Sequence, residues 1–175
     1  DIPSLRALAP ERVWLVGSVS KTLSAALRFG YVICPAGMGE AGRLTAQHGF
    51  FALARPVSDL VLDLLESGAA EDLRRKVQAA FSERLQAMVN ALGMFDIRWQ
   101  PGLPFVWLPL PSGWRASTFA RTAEAEGVLV RQADEYALIH GRAPHALRIA
   151  VAGGVPLDRY EPALATLARL LRRPP

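Results

Sequence analysis

Lys21 lies in Gly17-Ser18-Val19-Ser20-Lys21-Thr22, directly after a short apolar run, and Arg28 follows seven residues later. A lysine amine can condense with an aldehyde to give an imine. The hydroxyls of Ser18, Ser20 and Thr22 can donate hydrogen bonds to an anion, and the guanidinium of Arg28 can hold a phosphate with two parallel N–H groups. Residue types and spacing together suit a small aldehyde that bears a phosphate. They also suit a solvated lysine in a Ser/Thr-rich turn, since the string is short.

A loop of this kind needs strands on either side. Arg12 to Val16 (RVWLV) and Phe29 to Cys34 (FGYVIC) are short, apolar and partly β-branched, and Pro35 stops the second. Lys21 to Arg28 is left as a turn or one helical excursion. Neither strand alternates cleanly, which points to a sheet covered on both faces. Helices are expected from Glu40 to Ala54, from Pro56 to Gly68, and from Glu71 to Leu92, where Leu73, Val77, Phe81, Leu85, Met88 and Leu92 recur at helical spacing. The remainder is finer-grained. Strands are expected at Asp96–Trp99, Phe105–Leu108, Val128–Val130 and Leu147–Ala152, with helices at Trp114–Glu126 and from Pro156 onward. Trp14 and Trp107 fall in apolar strands and are expected in the core, Trp99 and Trp114 nearer the surface. Helices alternating with short strands describe an α/β chain that ends in a small α+β domain.

Composition narrows the possibilities. In 175 residues, 51% are hydrophobic and only 21% charged, so some apolar surface is expected to meet a partner. The net charge of +4 comes largely from local groups such as Arg74, Arg75 and Lys76 or Arg169, Arg172 and Arg173, and no long basic stripe suggests nucleic-acid binding. The single cysteine, Cys34, excludes an internal disulfide and reads as a small buried hydrophobe. His48, His140 and His145 are too widely spaced for a metal motif, and the latter two read as exposed loop residues. No apolar run approaches the roughly 20 residues of a membrane span, so a cytoplasmic protein is the expectation. Arg172 to Pro175 reads as a solvated tail.

The stretch RVWLVGSVSKTLSAALRFGYVICP resembles the Schiff-base segment of fold type I pyridoxal-phosphate enzymes, the aspartate aminotransferase superfamily. The likeness is greatest to the aminotransferase-like domains of MocR-type regulators in the GntR superfamily, and extends through Leu65–Leu92 and Leu147–Leu171. It implies the C-terminal portion of a large, mostly parallel-sheet domain over residues 1–92, including the long connecting helix, then a small α+β domain over 93–175. Lys21 matches the lysine that forms the internal aldimine with pyridoxal 5'-phosphate. Ser18 and Arg28 match phosphate-binding residues, with Ser20 beside them, and Arg148 matches the arginine that clamps an α-carboxylate. No metal is implied.

The chain departs from that pattern in places. Ala25-Ala26 stands where the family usually has Pro-Gly, Gly102-Leu103-Pro104 where a Gly-Gly pair is common, and Arg131 to Tyr136 where a Pro-Gly-x-x-Phe element often precedes the carboxylate arginine. The resemblance also implies an upstream half that completes the cofactor site and the large sheet; without it, strands near Val13 and Val32 would have exposed neighbours. Three functions remain open. One is an effector-sensing, dimerising domain of a regulator that binds an amino acid or amine by aldimine exchange, with DNA contacted only through a missing N-terminal domain. Another is an aminotransferase acting on an amino acid and a 2-oxo acid. The third is a structural dimerisation domain without cofactor. In each case a homodimer is expected, and the 175 residues alone are expected to be inactive.

Overall fold

The computed structural model describes residues 3–49, 53–151 and 154–173. The chain divides into two units, Asp1–Val77 and Gln78–Pro175.

In the first unit, helix α1 (Leu5–Leu8) is a single turn capped by Ser4, whose Oγ accepts from the Ala7 amide. Strands β1 (Leu15–Ser18) and β2 (Gly30–Ile33) then pair antiparallel, with Leu15 opposite Ile33 and Ser18 opposite Gly30. A mostly parallel remnant is the expectation from the sequence, but every ladder among the described residues is antiparallel. The reason is local. The link from Val19 to Phe29 is shorter than the crossover of about a dozen or more residues that a parallel return requires. Val16 and Val32, cross-strand partners, are 77% and 53% exposed, so the expected uncovered apolar surface is present on this pair.

Helix α2 (Gly39–Gly49) ends at the edge of the described residues; the expected continuation over 50–52 lies outside them. Pro56 occupies the first turn of α3 (Arg55–Glu66), where its missing N–H is not needed. Gly68, at φ 79°, takes the left-handed position that closes α3 before α4 (Ala69–Leu92) begins. Glu71 and Asp72 in the first turn of α4 complement the helix dipole. Each also pairs one turn on, with Arg74 and Arg75, and the Arg74 hydrogen bond holds the Glu71 carboxyl below its ordinary range. The small core of this unit consists of Val19, Leu23 and Ala70, with Leu27, Phe29, Leu64 and Leu73 packed around them.

The second unit is built on a three-stranded antiparallel sheet of β3 (Phe105–Pro109), β4 (Arg131–Gln132) and β5 (Ala146–Ala150), in the order β3-β5-β4. Alternation decides its faces: Val106, Leu108, Leu147 and Ile149 point inward. Against them pack α5 (Ala116–Ala125), α6 (Leu157–Leu171) and the Leu85, Met88 and Leu92 stripe of α4. The expected strand at Val128–Val130 is displaced to Arg131–Gln132, and Asp96–Trp99 makes only one bridge, Arg98 to Trp107. Ala152, the expected end of β5, lies outside the described residues, as do Pro174 and Pro175 of the tail. The tryptophans partly reverse their expected places. Trp114 is buried edge-on against Phe119, whereas Trp14 is 41% exposed.

Tyr160 on α6 is buried, and its hydroxyl has no hydrogen-bond partner among the described residues. Burial pushes its ionisation up to about 12, while the Arg84 guanidinium pulls the other way. An unfolded tyrosine ionises near 10. Above that pH the unfolded chain sheds a proton that the folded chain keeps, so this contribution is whole below about pH 10 and is lost as pH rises towards 12. Tyr160→Phe is expected to flatten the alkaline fall in urea midpoint without lowering the midpoint at neutral pH, because no hydrogen bond is lost.

Candidate cofactor and carboxylate sites

The β1–β2 connection forms from inside outward. Val19 and Leu23 are buried on either side of Lys21, and the Val19 carbonyl accepts from the amides of Thr22, Leu23 and Ser24. Two buried anchors and one shared carbonyl make a tight turn that leaves the side chain of Lys21 exposed between them. Ser24 then caps a 3-10 turn, Ala25–Leu27, with its Oγ accepting from the Ala26 amide. The turn ends at Arg28, which adopts φ 48°, ψ 36°. Among the described residues no other non-glycine has a positive φ. A side chain in that region costs about 1–2 kcal/mol, a cost that glycine would avoid.

The four residues assigned to the cofactor thus share one hairpin connection. Ser18 has a role in holding it together: its Oγ donates to the Phe29 carbonyl at 3.3 Å and accepts from the Ser20 amide at 3.1 Å. The hydroxyl expected to meet a phosphate is therefore already engaged in closing the loop. Ser20, Thr22, Lys21 and Arg28 have no side-chain partner among the described residues, and no carboxylate lies within ion-pair distance of the amine or the guanidinium. One amine, two free hydroxyls and one free guanidinium form a donor set that matches an aldehyde with a phosphate arm. Pyridoxal phosphate fits that chemistry.

Arg148 stands in the second unit, on the central strand β5 and on the sheet face away from the core. Its guanidinium carbon lies 4.4 Å from the centroid of the Phe105 ring and 5.2 Å from that of Tyr136, and Nη1 donates to the Tyr136 hydroxyl at 3.2 Å. Arg131 lies directly opposite it across the ladder and is taken up by Glu135, with Nη1 to Oε2 at 2.8 Å. No carboxylate lies within 4 Å of Arg148 among the described residues, so it is the uncommitted cation of this pair. Its two aromatic neighbours were not legible as site residues. The available signals were the two-residue stagger from Phe105 to Trp107, the cross-strand partner of Arg148, and a tyrosine in the segment where the family often has phenylalanine. His140 and His145 are exposed, as expected, and Cys34 is half-buried beside Gly42. The described residues hold no cluster suited to a metal ion, and no helix among them is long and apolar enough to cross a membrane.

Comparison with known proteins bears on both sites. No family profile matches the sequence. Among curated proteins, the uncharacterized HTH-type transcriptional regulator YdeF of Bacillus subtilis (strain 168) is 27% identical over 183 residues, covering 97% of this chain and 37% of the regulator. Among solved structures, the α-aminoadipate aminotransferase LysN from Thermus thermophilus, complexed with N-(5'-phosphopyridoxyl)-L-leucine, matches with TM-score 0.83 and 27% identity. That match covers 98% of this chain and 46% of LysN. An archaeal alanine:glyoxylate aminotransferase matches with TM-score 0.80 at 23% identity, over 98% of this chain and 44% of its own. The chain has the mixed α/β fold of fold type I pyridoxal-phosphate aminotransferases, and it spans less than half the length of these relatives.

Proposed function

We propose that this chain is the part of a pyridoxal-phosphate-dependent aminotransferase-like protein that carries the cofactor lysine and the carboxylate arginine. The observation that carries the reading is the Val19–Phe29 loop. It displays Lys21 with no side-chain partner among the described residues, and seven positions on it ends at an arginine kept at a left-handed position, in a chain with 27% identity to an aminotransferase of the same fold. When bound, pyridoxal phosphate supplies an aldehyde for an amine and an electron sink for the bonds around the substrate's α-carbon.

The residues divide the work. Lys21 would hold the aldehyde end of the cofactor, and its Nζ would be the group that takes and returns a proton. Arg28 grips the phosphate, Ser20 adds a hydroxyl donor, and Ser18 holds the loop that presents them, its own proton being given to the Phe29 carbonyl. Arg148 binds the α-carboxylate through its fork of N–H groups. The cofactor-binding domain is taken as residues 1–92 and the smaller one as 93–175, a boundary at the end of α4, whereas the two compact units part within that helix after Val77. A homodimer, or further chain, covers the Val16 and Val32 surface.

In the first form of this reading the whole protein is an enzyme that transfers an amino group between an amino acid and a 2-oxo acid. The likeness to several aminotransferase structures supports it. A second form rests on the match to YdeF: the same site senses an amino acid or amine, and a separate DNA-binding domain responds. The test is borohydride reduction of the full-length protein saturated with pyridoxal phosphate, followed by peptide mass analysis. A pyridoxyl mass on the Lys21 peptide is expected, and a label elsewhere or no label overturns the reading. Multiple-turnover amino transfer then identifies the enzyme, and a ligand-dependent change in DNA affinity without turnover identifies the regulator.

A further inference from the structure

Resting on the assignment of Arg148 as the carboxylate-binding group, we propose that Tyr136, together with Phe105, is a positioning residue that presets the Arg148 guanidinium for an incoming carboxylate. An arginine on an open sheet face has many rotamers to lose before it can make a two-pronged contact. Here three contacts restrict it: the Phe105 ring at 4.4 Å, the Tyr136 ring at 5.2 Å and the Tyr136 hydroxyl at 3.2 Å. The hydroxyl takes one of the five guanidinium N–H groups, leaving four for a ligand. Phe105 pairs across the ladder with Ala150, whose single methyl leaves the space over the ring to the side chain from Arg148.

Tyr136 is itself held. It ends a 3-10 turn, Ala133–Tyr136, that follows β4 directly. Ala133 is buried at 2% exposure, and Gln132 and Glu135 close a capping box over the turn. Glu135 also neutralises Arg131, the like charge directly opposite Arg148, so one guanidinium faces the ligand rather than two in competition. The turn therefore delivers an aromatic ring and an acceptor to one side of Arg148 and removes its rival cation.

The test uses full-length protein loaded with pyridoxal phosphate, with L-leucine and its decarboxylated counterpart 3-methylbutylamine as probes. Tyr136→Phe keeps the ring and removes the acceptor, and at 49% exposure the change does not threaten the fold. It is expected to weaken L-leucine by about 3- to 10-fold and to leave the amine within about twofold. Phe105→Leu is expected to act in the same direction. A second readout needs no cofactor: nitrogen-15 relaxation of the Arg148 Nε–H should report a restricted group in the parent chain and a mobile one in Tyr136→Phe. Unchanged leucine affinity, equal loss for both probes, or unaltered relaxation overturns the proposal. Arg148→Ala is the reference arm. If it too fails to separate the two probes, the carboxylate assignment itself is wrong. If it separates them and Tyr136→Phe does not, only the positioning role falls. Should neither probe bind, the relaxation comparison alone decides.

Discussion

Truncating Phe119 to alanine is expected to destabilise the second unit by about 3–5 kcal/mol. Its ring is fully buried on the α5 face that also carries Ala116, Ala120 and Ala123, the i, i+3, i+4 and i+7 positions of one stripe. Three of those four are alanines, so the helix lies close to the sheet and Phe119 supplies most of the apolar bulk. It also meets Trp114 edge-on, with centroids 5.0 Å apart and planes at 80°, a geometry worth about 0.5–1.5 kcal/mol beyond area. Small neighbours cannot swing in to refill the space, which places the cost towards the upper end of the range. Against a typical domain stability of about 5–15 kcal/mol, such a loss is a large fraction of the whole. Urea unfolding followed by tryptophan fluorescence reads it, with Leu129→Ala as control. Leu129 is 80% exposed, and its truncation should stay within about 0.5 kcal/mol. A Phe119→Ala loss below about 1 kcal/mol would mean that α5 is not packed as described.

Periodicity carried much of this architecture. The stripe through Leu85, Met88 and Leu92 is long enough that α4 begins only two residues before the sequence expectation and ends where Gly93 stops it. β3 is legible because Val106 and Leu108 alternate with half-buried neighbours between two prolines. Where signals were short, tertiary pairing prevailed. Val128 and Val130 have strand-like chemistry and do pack on the core, yet the residues that find a ladder partner are Arg131 and Gln132, because Arg148 and Leu147 lie beside them. Trp114, next to Gly113, reads as a surface residue until Phe119, five residues on in the first turn of α5, comes round to cover it. The candidate site could be read from residue types on the Lys21 loop and only through resemblance at Arg148. The contacts around Arg148 depend on which strands adjoin β5, and no local pattern encodes that. Nor did the sequence reveal that the Ser18 hydroxyl closes its own hairpin or that Arg28 is left-handed.

That backbone state of Arg28 makes the substitutions that test its proposed phosphate role separable. Arg28→Ala and Arg28→Gly both remove the guanidinium, but only the glycine also relieves the φ of 48°. Charge-assisted hydrogen bonds contribute about 1.5–3 kcal/mol each, so both variants of the full-length protein are expected to bind pyridoxal phosphate about 10- to 100-fold more weakly. Stability should divide them. Glycine recovers the roughly 1–2 kcal/mol of left-handed strain and gives back about 0.5–1 kcal/mol through its freer unfolded chain. The glycine variant should therefore match or exceed the parent by as much as about 1.5 kcal/mol, while the alanine variant gains nothing. Arg28→Lys keeps a charge without the planar fork and should fall between parent and alanine in affinity. Spectral titration of the cofactor and urea unfolding of the cofactor-free protein measure the two quantities independently. Gains in stability together with losses in binding would show that the loop holds its arginine against the preference of its own backbone. Unchanged cofactor affinity in all three variants would place the guanidinium away from the phosphate and remove Arg28 from the site.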